Sequence, residues 1–122
     1  MEITLVKPAD LTATQLDAWR AITRSECLAS PFYAAAFTQA ISRCRDDVEV
    51  SVLQDAGRIV GIFPFQRAAR RVGRPVGWKI NDFQGAVLDP AAQLDAAELL
   101  RHSRLSEWRF DHLPLNQVWC ER

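Results

Sequence analysis

The sequence lacks most of the features that assign a protein to a functional class. Its 15 basic and 15 acidic side chains leave no net charge at pH 7, so charge gives no reason to expect nucleic acid or an anionic membrane as a partner. No apolar run approaches the roughly 20 residues of a membrane-spanning helix, and the first residues, with Glu2 and Lys7, contain no apolar signal segment. We therefore expect a cytoplasmic protein with no membrane span and no nucleic-acid partner.

Cysteine and histidine, which supply many metal ligands and catalytic groups, are scarce. The three cysteines are Cys27, Cys44 and Cys120, without CxxC spacing, and the two histidines are His102 and His112. A zinc site needs three or four such ligands at short spacings, so no metal is expected. Neither a Walker A sequence nor a GxGxxG sequence is present. We expect two of the three cysteines to be small buried thiols in a reducing compartment.

What the sequence does contain is the patterning of one folded domain. Apolar residues make up 48% of the chain, and a chain of this length can bury roughly two-thirds of its unfolded surface. Thr12 and Gln15 have the spacing of a capping box at a helix start. Alternating apolar residues on both sides of a short connection predict a β-hairpin over Val48–Gln66. We therefore predict a single α/β (α+β) domain over residues 1–122, with helices packed on a mixed, mostly antiparallel sheet.

The remaining elements are predicted from weaker patterns. Ser30 and Pro31 are typical of a helix start, and Pro64 belongs at a bulge or an unpaired strand edge because it lacks an N–H donor. The other expected elements are a strand over Met1–Val6, a helix from Pro31 to Cys44, a basic turn over Arg67–Pro75, extended segments over Val76–Ile80 and Phe83–Leu88, a helix from Pro90 to about Arg104 with Leu94, Ala97 and Leu100 inward, and a final strand.

The final strand carries a histidine with an acidic neighbour. Asp111 and His112 are adjacent there, and successive side chains of a strand point to opposite faces. They are therefore not expected to form a catalytic pair, and nucleophilic catalysis is poorly supported. His112 shares its predicted face with Trp108 and Phe110, so we expect it to be a hydrogen-bonded core residue.

One segment departs from the balanced charge of the rest. From Arg58 to Lys79 the chain has six basic residues and no acidic one. Such a run can hold phosphates or a carboxylate. It is also typical of a solvated hairpin turn, in which arginines keep a sheet edge soluble. The sequence leaves both interpretations open.

Five stretches, taken together in their order, resemble one protein family. They are Ser30–Tyr33 with Phe37 following, Gly57–Gln66, Val72–Gly77, Asn81–Gly85 and Trp108–Leu113. Over most of residues 10 to 117, their order and spacing resemble the amino-terminal half of the GNAT-type acetyltransferases of bacterial cellulose and exopolysaccharide biosynthesis. Those proteins are similar in build to the FemAB-like transferases, which have two GNAT-like halves in tandem.

The resemblance implies an acyl-CoA-dependent N-acyltransferase with a GNAT-like domain. An amine would attack the thioester carbonyl, aided by a base and by oxyanion donors. Acetyl-CoA or another acyl-CoA is the implied donor, and a small amine or a sugar-derived molecule is the acceptor. In this family the cofactor is expected mainly in the second half. Because the chain ends at Arg122, roughly where the first half ends, we expect it to be incomplete for catalysis alone.

The residues that would bind the cofactor stay unassigned. Arg70, Gly73 and Pro75 have the spacing of a GNAT pyrophosphate loop, but proline offers no N–H to a phosphate, so that match is accidental. Two other interpretations remain open. One is a binding or assembly module that forms a homodimer or higher oligomer through the sheet edge and apolar patch that a second half would cover. The other is a small complete enzyme of unrelated chemistry.

The polar segment after the basic run is the candidate site. If the segment is extended, Asp82 and Gln84 share a face. A carboxylate beside an amide can orient an amine or a sugar hydroxyl, so Asp82 is the candidate base, and Asn81 and Gln84 are candidate substrate-binding residues. Arg67, at the end of a hairpin strand, is the expected cationic partner. The alternative is structural, with Asp82 capping a turn and Gly85 relieving a tight bend.

Overall fold

A sheet with helices on both faces organises the chain. The computed structural model describes residues 1–117, which contain six strands and three α-helices. The strands are β1 (Glu2–Val6), β2 (Val48–Asp55), β3 (Arg58–Ala69), β4 (Val72–Arg74), β5 (Val87–Leu88) and β6 (Glu107–Trp108), and the helices are α1 (Ala13–Ile22), α2 (Ala35–Ser42) and α3 (Ala96–His102). The predicted α/β (α+β) class, with a mixed and mostly antiparallel sheet, is confirmed.

The strand order across the sheet is β1-β2-β3-β4-β6, and β5 pairs with β3 as well. All of these pairings are antiparallel except that of β4 with β6. The hairpin predicted over Val48–Gln66 is confirmed, with Val48 opposite Gln66. Since β3 is 12 residues long, it has room for two partners on its second side, β5 at Gly61–Ile62 and β4 from Gln66 onwards.

Pro64 lies in the gap between those two partners. Among the described residues, neither β4 nor β5 pairs with positions 63–65 of β3. The missing N–H of proline therefore costs no hydrogen bond on that side. The prediction of an unpaired edge at this residue is confirmed.

Two hydrophobic clusters lie on opposite faces of the sheet. Val50 and Val52 of β2 pack with Trp19 of α1 in one cluster, while Leu53 of β2 packs with Leu99 of α3 in the other. This division follows from the alternation of side chains along a strand. The two clusters place α1 and α3 on opposite sides of the central hairpin.

The first helix begins as the sequence predicts, and the other two begin later. Thr12 and Gln15 form both bonds of a capping box. Ser30 Oγ accepts from the N–H of Phe32 (3.2 Å), but this closes only a 3-10 turn over Pro31–Tyr33, because Ala34 is extended (ψ 144°). The predicted helix from Pro31 to Cys44 is therefore wrong at both ends.

The third helix starts at Ala96 rather than at Pro90. The carboxylate of Asp95 accepts a hydrogen bond from the N–H of Ala97 (2.9 Å), which makes Asp95 the N-cap. Leu94 and Leu99 are buried, whereas Ala97, predicted to face inward, is exposed. The N-cap at Asp95 sets where the helix begins and so which side chains face inward. Pro90, six residues before the first helical residue, lies in a turn.

The region from residue 67 to residue 88 also differs from the prediction. Arg67–Pro75 is not a loop but the end of β3, a turn at Arg70–Arg71 and the strand β4. The segment Val76–Ile80 ends in a 3-10 turn instead of an extended run. Of the strand predicted over Phe83–Leu88, only Val87–Leu88 is present, because hydrogen bonds of Asn81 and Gln84 turn the chain before it.

The prediction about the cysteines is wrong. Cys27 and Cys44 are both exposed, so two buried thiols are excluded, and Cys120 lies outside the described residues. The helices within residues 1–117 include none that is long and apolar enough to cross a membrane.

Candidate functional site

Gln84 joins two segments that are far apart in sequence. Its side chain is fully buried, and its Oε1 accepts hydrogen bonds from the backbone N–H groups of Asp111 (2.9 Å) and His112 (3.0 Å). Its Nε2 donates to the carboxylate of Asp111 (2.7 Å) and to the carbonyl of Asn81 (2.9 Å). Gln84 therefore holds Asp111 and His112 in place, and its own amide is used within the protein.

Asn81 and Asp82 lie in the turn that precedes Gln84. The Oδ1 of Asn81 accepts from the N–H of Phe83 (2.8 Å), and its Nδ2 donates to the carbonyl of Val76 (2.9 Å). These bonds bend the segment, so Asp82 and Gln84 do not share a face: Asp82 is exposed and Gln84 is buried. The amide of Asn81, which was expected to bind substrate, holds this turn closed.

A second glutamine fixes the residues that follow. Gln117 Oε1 accepts from the N–H of Ala86 (2.8 Å), and its Nε2 donates to the carbonyl of the same residue (2.9 Å). Gly85 has a φ of +131°, and a Cβ there would lie 2.2 Å from Gln117 Oε1. Only glycine fits this position. The two glutamines together fasten the end of the described chain to residues 84–86.

This arrangement brings Asp111 and His112 into contact. The Nδ1 of His112 lies 3.0 Å from the carboxylate of Asp111, and both side chains are about half exposed (53% and 42%). The prediction that the two residues cannot pair is wrong, because the chain bends at Asp111 instead of continuing β6. His112 is also not a core residue. It lies on the surface with a carboxylate on its Nδ1.

The electrostatics of this pair follow from its contacts. The hydrogen bond that His112 donates to Asp111, together with the negative charge of that carboxylate, raises the pKa of His112 above the ordinary 6.5, and the charge of Asp82 acts in the same direction. The bond to His112, followed by that from Gln84, lowers the pKa of Asp111 below 3.8. Because an ionised carboxylate only accepts hydrogen bonds, Nδ1 must carry the proton, which leaves the lone pair of the neutral imidazole on Nε2.

Two exposed aromatic rings belong to the segments that Gln84 joins. Phe83 directly precedes Gln84 in the chain, and Phe110 directly precedes Asp111. Phe83 is 43% exposed and stacks on Phe32 with ring centroids 6.4 Å apart. Phe110 is 45% exposed and contacts Trp108 at 5.0 Å. Each segment therefore combines a carboxylate that acts on His112, Asp82 or Asp111, with a partly exposed ring.

Arg67 belongs to a different cluster. Its guanidinium donates to Glu49 (Nε–Oε2 2.5 Å), to the carbonyl of Arg70 (3.0 Å) and to the carbonyls of Ser103 (2.9 Å) and Arg104 (3.0 Å). With a second bond to Glu49 (3.3 Å), all five of its donors are occupied. The structure therefore brings together Asn81, Asp82 and Gln84, and places Arg67 elsewhere.

The segment considered for the CoA pyrophosphate does not fit that ligand. Gly73 and Arg74 lie in β4, where they pair with β3, and the carbonyl of Gly73 accepts from the N–H of Arg109 (2.9 Å). A pyrophosphate loop needs successive free N–H groups before a helix. Here the backbone is used in the sheet, and Pro75 has no N–H.

Sequence reasoning named the turn but missed the histidine pair beside it. The available signal is the adjacency of Asp111 and His112, but in an extended backbone neighbouring side chains point to opposite faces, and local pattern predicts extension here. Gln84 was singled out correctly, yet its 27-residue separation from Asp111 is beyond what local patterns report. Within the described residues, no three His, Cys, Asp or Glu side chains form a group that could hold a metal ion.

Comparison with known proteins does not identify a family for this chain. The chain matches no protein-family model, no curated protein and no solved structure. Among the residues described above, the half-exposed pair of Asp111 and His112 is the one best suited to proton transfer.

Proposed function

We propose that this chain is the amino-terminal, acceptor-binding domain of an acyl-CoA-dependent N-acyltransferase, in which His112 removes the proton from the amine. The observation that carries the proposal is the Asp111–His112 pair, held by the buried Gln84 with its ring half exposed. A carboxylate on Nδ1 orients a histidine as a general base through Nε2. The GNAT-like resemblance of the sequence supplies the reaction class.

The pair suits the proton transfer that amide formation needs. As the amine nitrogen forms its bond to the thioester carbon, its N–H proton passes to Nε2 of His112 and the thiolate leaves. The positive charge that develops on the ring is stabilised by Asp111. The hydrogen bond to Asp111 and its charge raise the pKa of His112 above the ordinary 6.5, which makes the neutral ring a stronger base than a free imidazole.

The groups around the pair support an amine as the acceptor. Asp82 and Asp111 place two carboxylates near His112, and carboxylates attract the ammonium form in which free amines arrive. The bound ammonium loses one proton to solvent, and the neutral amine then attacks and passes its next proton to His112. The open ring faces of Phe83 and Phe110 offer apolar surface, and an aromatic face also attracts cations. Asp82, the base expected from the sequence, serves in this proposal as the residue that attracts the amine.

The acyl donor is proposed to bind outside this chain. The β4 segment does not fit a CoA pyrophosphate, and acyl transfer from CoA therefore needs a second half, as the resemblance implies. The contribution of the chain is to bind the amine and to accept its proton.

Acceptor binding is tested on the chain alone by titrating it with glucosamine and with simple alkylamines. We expect the NMR signals of the His112 ring to shift, and those of His102, an exposed histidine whose Nδ1 contacts the carbonyl of Glu98, to stay unchanged. The variant Asp82→Asn should weaken binding. Equal shifts at both histidines, or none at either, would contradict the proposal.

Catalysis is tested in the full-length transferase that carries the domain, by thiol release from acetyl-CoA. We expect His112→Gln to lower kcat by about 10²–10⁴-fold and His102→Gln to leave it unchanged. The rate should rise with pH through the raised pKa of His112, because only the neutral ring accepts a proton. Equal turnover in the two variants would overturn the role of His112.

A second candidate function, an assembly module, is favoured by a separate observation. Within the described residues β1 is the last strand at one side of the sheet, and Ile80 and Leu115 are 63% and 95% exposed. We propose that the chain then forms a homodimer or a higher oligomer through such surfaces. Light scattering that shows only monomer at high concentration would exclude it.

A further inference from the structure

Four arginines line a concave surface between β2, the turn after β3 and the residues after α3. The concavity has a volume of about 350 Å³ and is lined by Glu49, Arg67, Arg70, Arg71 and Arg104. That volume corresponds to roughly a dozen water molecules. Arg70 and Arg71 come from the turn between β3 and β4, and Arg104 follows α3. One acidic side chain against four basic ones leaves an excess of three positive charges.

The acid that lines the surface is already neutralised. Glu49 pairs with Arg67 through both of its oxygens, and these two side chains are only 15% and 20% exposed. The other nearby acid, Glu107, pairs with Arg109. In residues 1–117 the guanidinium groups of Arg70, Arg71 and Arg104 have no hydrogen-bond partner or ion pair, and all three residues are exposed.

The backbone holds these three cations together. Arg67 donates to the carbonyls of both Arg70 and Arg104, and the carbonyl of Arg71 accepts from the N–H of Ser106 (2.8 Å) and from its hydroxyl (3.2 Å). Like charges held close together repel each other, and a bound anion would relieve the repulsion between these guanidinium groups. Fixed positions also lower the cost of ordering the site on binding.

The position of Arg104 is set by the end of α3. Its φ is +58°, in the left-handed region that helices commonly use just after their end. The N–H of Leu105 donates to the carbonyl of Leu100 (2.8 Å) and closes this helix end. The helix end therefore fixes the backbone of Arg104, and Arg67 joins it to the turn that carries Arg70 and Arg71.

We propose that this arginine cluster binds a diphosphate group of a small molecule. Arginine guanidinium groups match phosphate oxygens with paired, charge-assisted hydrogen bonds, and three of them suit a ligand with more than one phosphoryl group. Arg67 positions the backbone of Arg70 and Arg104 and has no free donor for the ligand. The site uses side chains rather than backbone N–H groups, and it does not depend on acyl transfer at His112.

The test uses inorganic pyrophosphate as the probe, added to the full chain and followed by calorimetry and by amide NMR. We expect saturable binding of one pyrophosphate per chain, with shifts concentrated at residues 70, 71 and 104–106. Acetate at the same ionic strength should not bind. If pyrophosphate shows no saturable binding, or if the shifts are spread over all exposed arginines, the result on the unchanged chain overturns the proposal.

A charge-matched pair of double variants identifies the residues. Arg71→Gln with Arg104→Gln should raise the Kd for pyrophosphate at least tenfold. Arg24→Gln with Arg43→Gln removes the same charge from exposed positions elsewhere and should change the Kd less than twofold. Equal weakening in both double variants would show a general charge effect and would overturn the proposal.

Discussion

Arg67 and Gln84 are two hydrogen-bonded junctions that differ in what they leave exposed. Arg67 ties β3 to Glu49 of β2, to the turn after β3 and to the end of α3, and every one of its donors is used. Gln84 ties its own turn to Asp111 and His112, and its amide is likewise used inside the protein. Beside Gln84, however, an imidazole is held with its ring half exposed.

The comparison shows that the best-connected polar residue of a site is a poor candidate for contacting substrate. A buried polar side chain has to satisfy its own donors and acceptors first. What remains for chemistry is then carried by neighbours: His112 beside Gln84, and the exposed arginines beside Arg67. Substitutions at the junctions should accordingly change stability, and substitutions at the neighbours should change titration and binding.

The largest effect is expected for Arg67→Ala. It leaves Glu49 and two carbonyls near the end of α3 without partners, and breaking a largely buried ion pair from one side costs about 3 kcal/mol in the free energy of unfolding. Urea denaturation measures this loss. The control is Arg58→Ala, which removes the exposed pair with Asp89 and should cost at most about 1 kcal/mol. Equal losses would refute the difference between the two arginines.

A smaller loss of stability is expected for Gln84→Ala. Buried groups left without hydrogen bonds cost about 1–3 kcal/mol each, but the backbone of Asp111 and His112 is near the surface and regains some bonds to water. We expect the free energy of unfolding to fall by about 2 kcal/mol and the pKa of His112 to move towards its ordinary value. Gln93→Ala, at an exposed position, is the control. A His112 pKa in Gln84→Ala that stays as raised as in the unchanged protein would argue against the junction.

Asp111→Asn is expected to change the free energy of unfolding least and the titration of His112 most clearly. It should lower the pKa of His112 towards 6.5, with Asp82→Asn acting in the same direction by less. Since the folded pKa of His112 is raised, its pairing stabilises the fold fully below the unfolded value and is lost as pH rises through the raised pKa. NMR titration of both histidines measures this, and an unchanged His112 would show that the pair does not form.

The central hairpin could be predicted from the sequence because its signals are local. The alternation of Val48, Val50 and Val52 and the short connection after Asp55 indicate both strands and their pairing. The one-residue register shift between Leu53 and Gln54 has no such local signal. The capping box of α1 is equally local, since its two partners lie three residues apart. Such patterns need no knowledge of the rest of the chain.

The site could be predicted only in part because it depends on contacts between distant segments. The polar turn at residues 81–84 was named from the sequence, but its partner segment was taken as a strand. Local pattern favours extension for Trp108, Phe110 and His112, and the hydrogen bonds from Gln84 override it at Asp111. Arg67 was misplaced for a related reason, because its nearest charges are set by sheet pairing and by the end of α3.

Side chains, rather than strand pairing, hold residues 84–86 and 111–117, and this affects how readily the two segments separate. The N–H groups of Asp111, His112 and Ala86 are held by glutamine oxygens and not by a strand ladder. We expect these bonds to open at a lower free energy than the sheet, because local opening does not require the sheet to unfold. Whenever Gln84 undocks, the contact between Asp111 and His112 is expected to be lost with it.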